Sequence, residues 1–519
     1  MDKSKLKPLK ELLDSVRDID GFPIGTDEDI LKLSDPPYYT ACPNPYINDF
    51  IEEYGNPYDP ETDDYERKPF VGDVSEGKND PIYMAHTYHT KVPPKAIEHY
   101  IRHYTKEGDL MFDGFCGSGM TGVAALRNKR KAILSDLSPI ASFISSNYNK
   151  KIDAIKFEEN ATKIINAVED ELGWLYYTNP DKGIKKYSNN LLDIKNKKGI
   201  INYIVWSDIL ICPYCKNEYV FYDVAVENDK VKKEYFCPNC KAIITKRNSI
   251  KSTYKFFDSS LNKSIEQIKQ KPVLINYTYN GNKYNKLPDK DDFELIKKID
   301  EIEIPFWIPI DRITDGDESR RNDKIGLTHL HHFYTKRNLW VISSLRKKCN
   351  SSELLLWFTS QLINLAKFNR YRPTVSFPYN PMSGTFYIPS QISEANVFTA
   401  YRNKIKKMKK AFEETKKENC VGIQSIIKSG LKKNCIDYIF TDPPFGSNLM
   451  YSELSFIWES WLKLKTNNKT EAIISKTQNK DLYSYRDLMT KAMKEYYRVL
   501  KPNRWITVEF HNSKASVWN

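Results

Sequence analysis

The chain of 519 residues lacks any apolar run of the length needed to cross a membrane, about 18 residues or more, so no membrane span is expected. The stretch behind Met1-Asp2-Lys3-Ser4-Lys5 has no apolar segment, and a secretion signal is not expected there. A disulfide framework is missing too. Of nine cysteines, Cys42, Cys116, Cys349, Cys420 and Cys435 are scattered without a pairing pattern, and the other four form two Cys-x-x-Cys pairs. That usage fits a reducing cytoplasm and one metal site. There is no internal repeat and no low-complexity tract. What is present is enough for packed globular domains: 40% hydrophobic and 13% aromatic residues, at a length that suggests about two to four domains. Lys and Arg outnumber Asp and Glu by 79 to 67, a net charge of +12. The surplus points to a polyanionic partner, although abundant Lys, Asn, Ile and Tyr leave a compositional origin open.

Residues 1–80 are rich in Pro, Asp, Asn and Tyr and read as an ordered but irregular arm. Residues 81–150 have α/β character: a helix over about 93–105, a strand at 110–113, a glycine loop, a helix from 120 to 127 and a strand at 131–136. The segment 151–415 breaks the rhythm. It holds a four-cysteine module over about 205–245, a strand-prone stretch at 273–279, helices from about Tyr334, and a basic helix over 402–417 that reads as a solvated face. From 416 to 519 the rhythm resumes, with strands expected at 420–424, 436–440 and 505–510. Two α/β halves around a large insertion predict one interrupted parallel sheet.

Several segments carry chemistry. Asp442-Pro443-Pro444-Phe445 follows a short apolar run that reads as a buried strand. An acid, two prolines and an aromatic ring at a strand end make a rigid ledge, suited to holding a planar, amino-bearing base. Asp442 and the Pro443 carbonyl can accept both amino hydrogens, and Phe445 can stack on the ring. Asp113-Gly114-Phe115-Cys116-Gly117-Ser118-Gly119 sits between a strand and a helix, where glycines allow close approach of a ligand. Gly117, Gly119 and Gly122 also fit a dinucleotide fingerprint. Asp113, however, suits the ammonium of S-adenosylmethionine (AdoMet) and would repel a pyrophosphate. Asp136 ends the next strand, where an acid can hold ribose hydroxyls of either cofactor. Cys116 reads as packing. Asn448 and Tyr451 either face a ligand or cap the next helix. Cys212, Cys215, Cys237 and Cys240 form two Cys-Pro-x-Cys knuckles, a zinc ribbon whose four thiolates leave structural zinc no open position. Two stretches stay undecoded. His329, His331 and His332 invite a metal reading beside packing or phosphate contact, and Phe368 to Pro373 mixes Arg and aromatics as a nucleic-acid surface does.

Asp-x-Phe-x-Gly-x-Gly on one strand and Asp-Pro-Pro-Phe on another resemble the AdoMet-dependent amino-methyltransferases of DNA. The segment from His86 to Lys95 resembles that family's helix before the glycine loop. The resemblance implies a Rossmann-like AdoMet methyltransferase sheet, interrupted by an α+β insertion that bears the ribbon and serves target recognition. It implies that Asp113 faces the methionine amino group and that Phe115, Gly117, Ser118 and Gly119 line the cofactor. It further implies that Thr90, Lys91 and Pro93 lie at the helix start that holds the methionine carboxylate, and that Asp136 holds the ribose. Asp442, Pro443, Pro444 and Phe445 become the catalytic ledge, acting on a base turned out of double-stranded DNA. An acid in the first ledge position leans to adenine N6 over cytosine N4, as in an adenine-specific enzyme of a restriction–modification system. An RNA methyltransferase, and a catalytically weakened DNA-binding component of a split system, stay open. The family's sheet closes with a further hairpin. Here the chain stops at Asn519, as Ser516-Val517-Trp518 begins what reads as a helix, so the hairpin is expected to be missing and a second polypeptide to complete the sheet.

Overall fold

The computed structural model describes residues 6–181, 198–228, 230–372, 384–415 and 418–512. The helix read to begin at Ser516-Val517-Trp518 and the end of the Phe368 to Pro373 stretch lie outside these residues. The chain forms two compact units: Met1–Glu159 with Ser351–Ser360 and Lys404–Asn519, and Asn160–Asn350 with Gln361–Asn403.

The first unit is built on a six-stranded parallel sheet. From edge to edge its strands are Tyr39–Thr40, Cys420–Ile423, Lys131–Asp136, Leu110–Asp113, Ile436–Thr441 and Leu500–Val508. Every neighbouring pair is parallel. Leu110–Asp113, Cys420–Ile423 and Ile436–Thr441 are buried at each residue, as apolar runs covered on both faces should be. Without the short first strand, the chain visits the sheet in a Rossmann-like order. Strand order reverses between Leu110–Asp113 and Ile436–Thr441, which places a crevice at their carboxyl ends. Both chemistry-bearing loops leave the sheet at that crevice. At the opposite, amino ends of these strands a buried ion pair ties them together: the Asp437 carboxylate accepts from Lys501 Nζ at 2.5 Å and from the Leu110 N–H at 2.9 Å.

The stretch 1–80 differs from the irregular arm expected. It carries helices Leu9–Val16, Asp27–Leu33 and Ile47–Tyr54, and its strand Tyr39–Thr40 extends the sheet beside Cys420–Ile423. Leu9, Leu13 and Val16 form one buried helix stripe, and Thr26 caps the second helix by accepting from the Asp29 N–H. Asn44 joins the segment to the sheet, donating from Nδ2 to the carbonyls of Pro37 and Val421. The basic helix also differs. It spans Val397–Phe412, and Lys404 is only 7% exposed beside buried Tyr401, Ile405 and Met408. Burial pulls its ammonium down to about 7. Lys404 lies on the apolar stripe of this helix, so the solvated-face reading fails at that residue.

The second unit is antiparallel. The long strand Gly199–Ile211 pairs with Gln270–Tyr279, Gln391–Ala395, Tyr177–Thr178, Glu218–Val220 and Ile250–Lys251. The cysteine module grows from its far end. Its small core holds Leu210, Tyr219, Phe221, Ala225, Tyr235 and Ile244 beside Cys212 and Cys237. Among the described residues no helix is long and apolar enough to cross a membrane.

Candidate active site and metal centre

At the crevice, Asp113 closes its strand with the side chain 3% exposed. Its carboxylate accepts from the Thr121 hydroxyl at 2.6 Å and from the Phe115 N–H at 3.1 Å. Burial pushes its pKa up to about 7 despite these donors. Asp136, one strand over, accepts from the N–H groups of Gly117 and Ser138, each at 2.9 Å, and burial raises it to about 6. Gly117 and Gly119 both have positive φ, 48° and 78°. At Gly119 the glycine also serves packing, because a Cβ there would lie 2.3 Å from Ser145 Oγ. Between them, Ser118 Oγ is buried and meets no hydrogen-bond partner among the described residues.

The ledge leaves the neighbouring strand. Asp442 is pushed up to about 7, first by burial and then by the charges of Glu509 and Asp113. Its carboxylate accepts no hydrogen bond from a described residue. The backbone carbonyls around it divide sharply. Thr441 O accepts from the Glu509 N–H, Pro444 O from the Tyr485 hydroxyl at 2.7 Å, Phe445 O from Asn512 Nδ2 at 2.8 Å, and Gly446 O from the Ile474 N–H. Among the described residues, the carbonyls of Asp442 and Pro443 receive no such donor. Phe445 meets Phe510 edge-on, with ring centroids 5.2 Å apart.

One cavity joins the two loops. Of the residues singled out in the sequence, Thr90, Lys91, Asp113, Phe115, Gly117, Ser118, Asp136, Asp442 and Pro444 line it; Pro93, Gly119, Pro443 and Phe445 do not. Lys91 reaches the lining with its ammonium already engaged, donating to the carbonyls of Tyr83 and His86. Tyr451 lines the cavity, whereas Asn448 is exposed and the N-cap of the following helix is Met450. Cys116 is a lining residue whose thiol is held well above its ordinary value by burial, so it has no thiolate to react. Sequence reading missed Tyr88 and Glu471 in the wall. Glu471 comes from a loop about 30 residues past the ledge, with no local pattern to mark it. It accepts from Ser452 and Gln478, satisfying the start of the helix Tyr451–Leu462.

In the second unit the four thiols converge. The Sγ atoms of Cys212, Cys215, Cys237 and Cys240 all lie within 4.8 Å of one another, with Cys212 to Cys240 at 3.8 Å and Cys215 to Cys237 at 3.7 Å. Zn–S bonds of about 2.3 Å in a tetrahedron require sulfurs about 3.8 Å apart. The two knuckles also share a backbone shape. Lys216 and Lys241 both sit at φ 61°, and each donates its N–H back to the first cysteine of its knuckle. A second cluster joins Asp258 to His331 and His332, whose Nε2 atoms lie 2.8 and 2.9 Å from the same carboxylate oxygen.

Comparison with known proteins reaches part of the chain. Residues 26–144, which hold the glycine loop and the strands on either side of it, match the family model described as DNA methylase. The match ends well before the ledge. The type II methyltransferase M.MjaII of Methanocaldococcus jannaschii is 23% identical over 173 residues, which cover 30% of this chain and 33% of that protein. The similarity therefore spans about a third of that relative's length. No solved structure matches. The mixed α/β unit with its parallel sheet is thus similar, through its cofactor-loop half, to the DNA methylases of the N6/N4 type.

Proposed function

We propose that this chain is a DNA methyltransferase that moves a methyl group from AdoMet to the exocyclic amino group of a base turned out of the duplex, with adenine N6 favoured. The observation that carries the reading is the division of acceptors on the ledge. The carbonyls of Thr441, Pro444, Phe445 and Gly446 are taken by the protein, while among the described residues the Asp442 carboxylate and the carbonyls of Asp442 and Pro443 are left without donors. Of these, the Asp442 carboxylate and the Pro443 carbonyl on a rigid turn suit the two hydrogens of one amino group. An aromatic amine is a weak nucleophile because its lone pair is spread into the ring. Accepting both hydrogens favours a pyramidal nitrogen with the lone pair directed outward. The adenine preference rests on the acid in the first ledge position.

The cavity's donor set fits AdoMet. Asp113, Asp136 and Asp442 line it, and Lys91 is engaged by carbonyls, so the wall favours a ligand carrying positive charge. The buried, unpartnered Ser118 hydroxyl is a further polar group in want of a ligand. Asp113 would hold the ammonium and Asp136 the ribose. When bound, AdoMet supplies an electrophilic methyl on a sulfonium. The four thiolates fit one structural zinc, held by Cys212, Cys215, Cys237 and Cys240. The unit that contains them is assigned to recognition of double-stranded DNA.

The test is incubation with labelled AdoMet and plasmid DNA, followed by nucleoside analysis. N6-methyladenine is expected. N4-methylcytosine would overturn the choice of base, and preferential methylation of structured RNA would overturn the substrate. Asp442→Ala is expected to lower transfer by at least about a hundredfold with AdoMet binding retained.

A further inference from the structure

The helix Leu482–Val499 takes no part in the chemistry so far, yet it contributes two tyrosine hydroxyls to the ledge. Tyr485 and Tyr496 are eleven residues apart, about three helical turns, and so share one face. Tyr485 donates to the Pro444 carbonyl at 2.7 Å. Tyr496 is 1% exposed, and its hydroxyl lies 2.8 Å from Thr441 Oγ1 and accepts from the Gly114 N–H at 3.0 Å. One tyrosine therefore grips the ledge after Asp442. The other grips the residue before Asp442 and ties it to the first glycine of the cofactor loop.

We propose that Tyr485 and Tyr496 are positioning residues, which hold the Asp442–Pro443 acceptor pair from both sides and set its distance from the cofactor loop. The inference rests on the methyl-transfer reading. Tyr485 also consumes the carbonyl beside Pro443, so an amino group finds its acceptors at one place only. A ledge that drifts by about 1 Å loses the alignment on which transfer depends, a displacement that can cost about a hundredfold in rate.

The test uses the full chain with Tyr485→Phe and Tyr496→Phe, each of which removes one hydroxyl and keeps the ring. Single-turnover methyl transfer to DNA, AdoMet affinity by calorimetry, and amide hydrogen exchange over residues 441–446 are measured together. For Tyr485→Phe the expectation is a ten- to hundredfold lower transfer rate, AdoMet affinity within about twofold, and faster exchange over 441–446. For Tyr496→Phe the rate and the AdoMet affinity should both fall, because its hydroxyl serves both loops. Transfer within twofold of the parent in both variants overturns the proposal. So does a rate loss in Tyr485→Phe matched by an equal loss of cofactor affinity and melting temperature, the mark of a merely structural contact. A parent chain that binds AdoMet but methylates no nucleic acid, with exchange still loosened by Tyr485→Phe, defeats the activity assignment and leaves the grip on the ledge standing.

Discussion

Asp113 ends one strand and Asp442 follows directly on the end of its neighbour, and each is held near 7 rather than at its ordinary 3.8. Burial is the first cause for both. The sign of the consequence follows from the proton count. Between about pH 4 and 7 the folded chain holds protons on these acids that the unfolded chain has released, so the ligand-free protein loses stability as pH rises through that window. The melting temperature of the ligand-free chain should therefore fall from pH 5 to pH 8. Added AdoMet, with positive charge for these acids to meet, should shrink that fall, and Asp113→Asn should shrink it without ligand. A flat profile in the ligand-free parent would contradict the burial seen here. Activity runs the other way. Asp442 must be a carboxylate to accept amino hydrogens, so kcat/KM should rise with pH through about 7 and level off above it.

Among the elements, the ribbon and the histidine cluster look alike in composition and differ in chemistry. In the ribbon four sulfurs face one another at metal-binding distances. In the cluster, His332 Nδ1 accepts from the N–H groups of Thr328 and His329 at 3.2 and 3.3 Å. Its proton must then sit on Nε2, which donates to Asp258. A metal at Nε2 would need that proton removed, so the cluster acts as a hydrogen-bonded pin: Asp258 ends the strand Thr253–Asp258 and His332 lies in the short turn Leu330–Phe333. Metal analysis should give one zinc per chain, unchanged in His332→Gln and lost in Cys237→Ser. The cysteine variant should destabilise its own unit, while AdoMet binding, carried by residues of the other unit, persists. Two metals per chain would refute the tautomer argument. Legibility at this scale follows burial and length. The strands Leu110–Asp113 and Lys131–Asp136 and the helix Met120–Arg127 coincide with their sequence-read bounds, because a glycine loop separates segments whose apolar residues are mostly buried. Tyr39–Thr40 has two residues and no period to read, and helices of seven or eight residues amid prolines hide their stripes. Tyr485 and Tyr496 were unreadable for another reason: their roles depend on how a distant helix faces the ledge, which no local pattern encodes.

For the whole molecule, the order of the sheet explains why distant segments make one site. Strands at 110–113 and 436–441 become neighbours, although the second unit's segments intervene in sequence. The glycine loop and the ledge were each legible as motifs; their meeting is a property of topology. Charge is the other global property. A surplus of +12 over 519 residues is modest per residue, but it suffices for a footprint of several phosphates if the excess gathers on a DNA-facing surface. Binding of that kind releases counterions, so its affinity falls steeply with salt. A footprint of about six phosphates would lose roughly a thousandfold in affinity between about 50 and 200 mM salt. AdoMet binding, which engages no polyanion, should change little over the same range. Titrations of duplex DNA and of AdoMet at several salt concentrations separate the two effects. A DNA affinity as indifferent to salt as the cofactor's would mean that the basic surplus is compositional, and that recognition of the duplex must come from contacts other than phosphate.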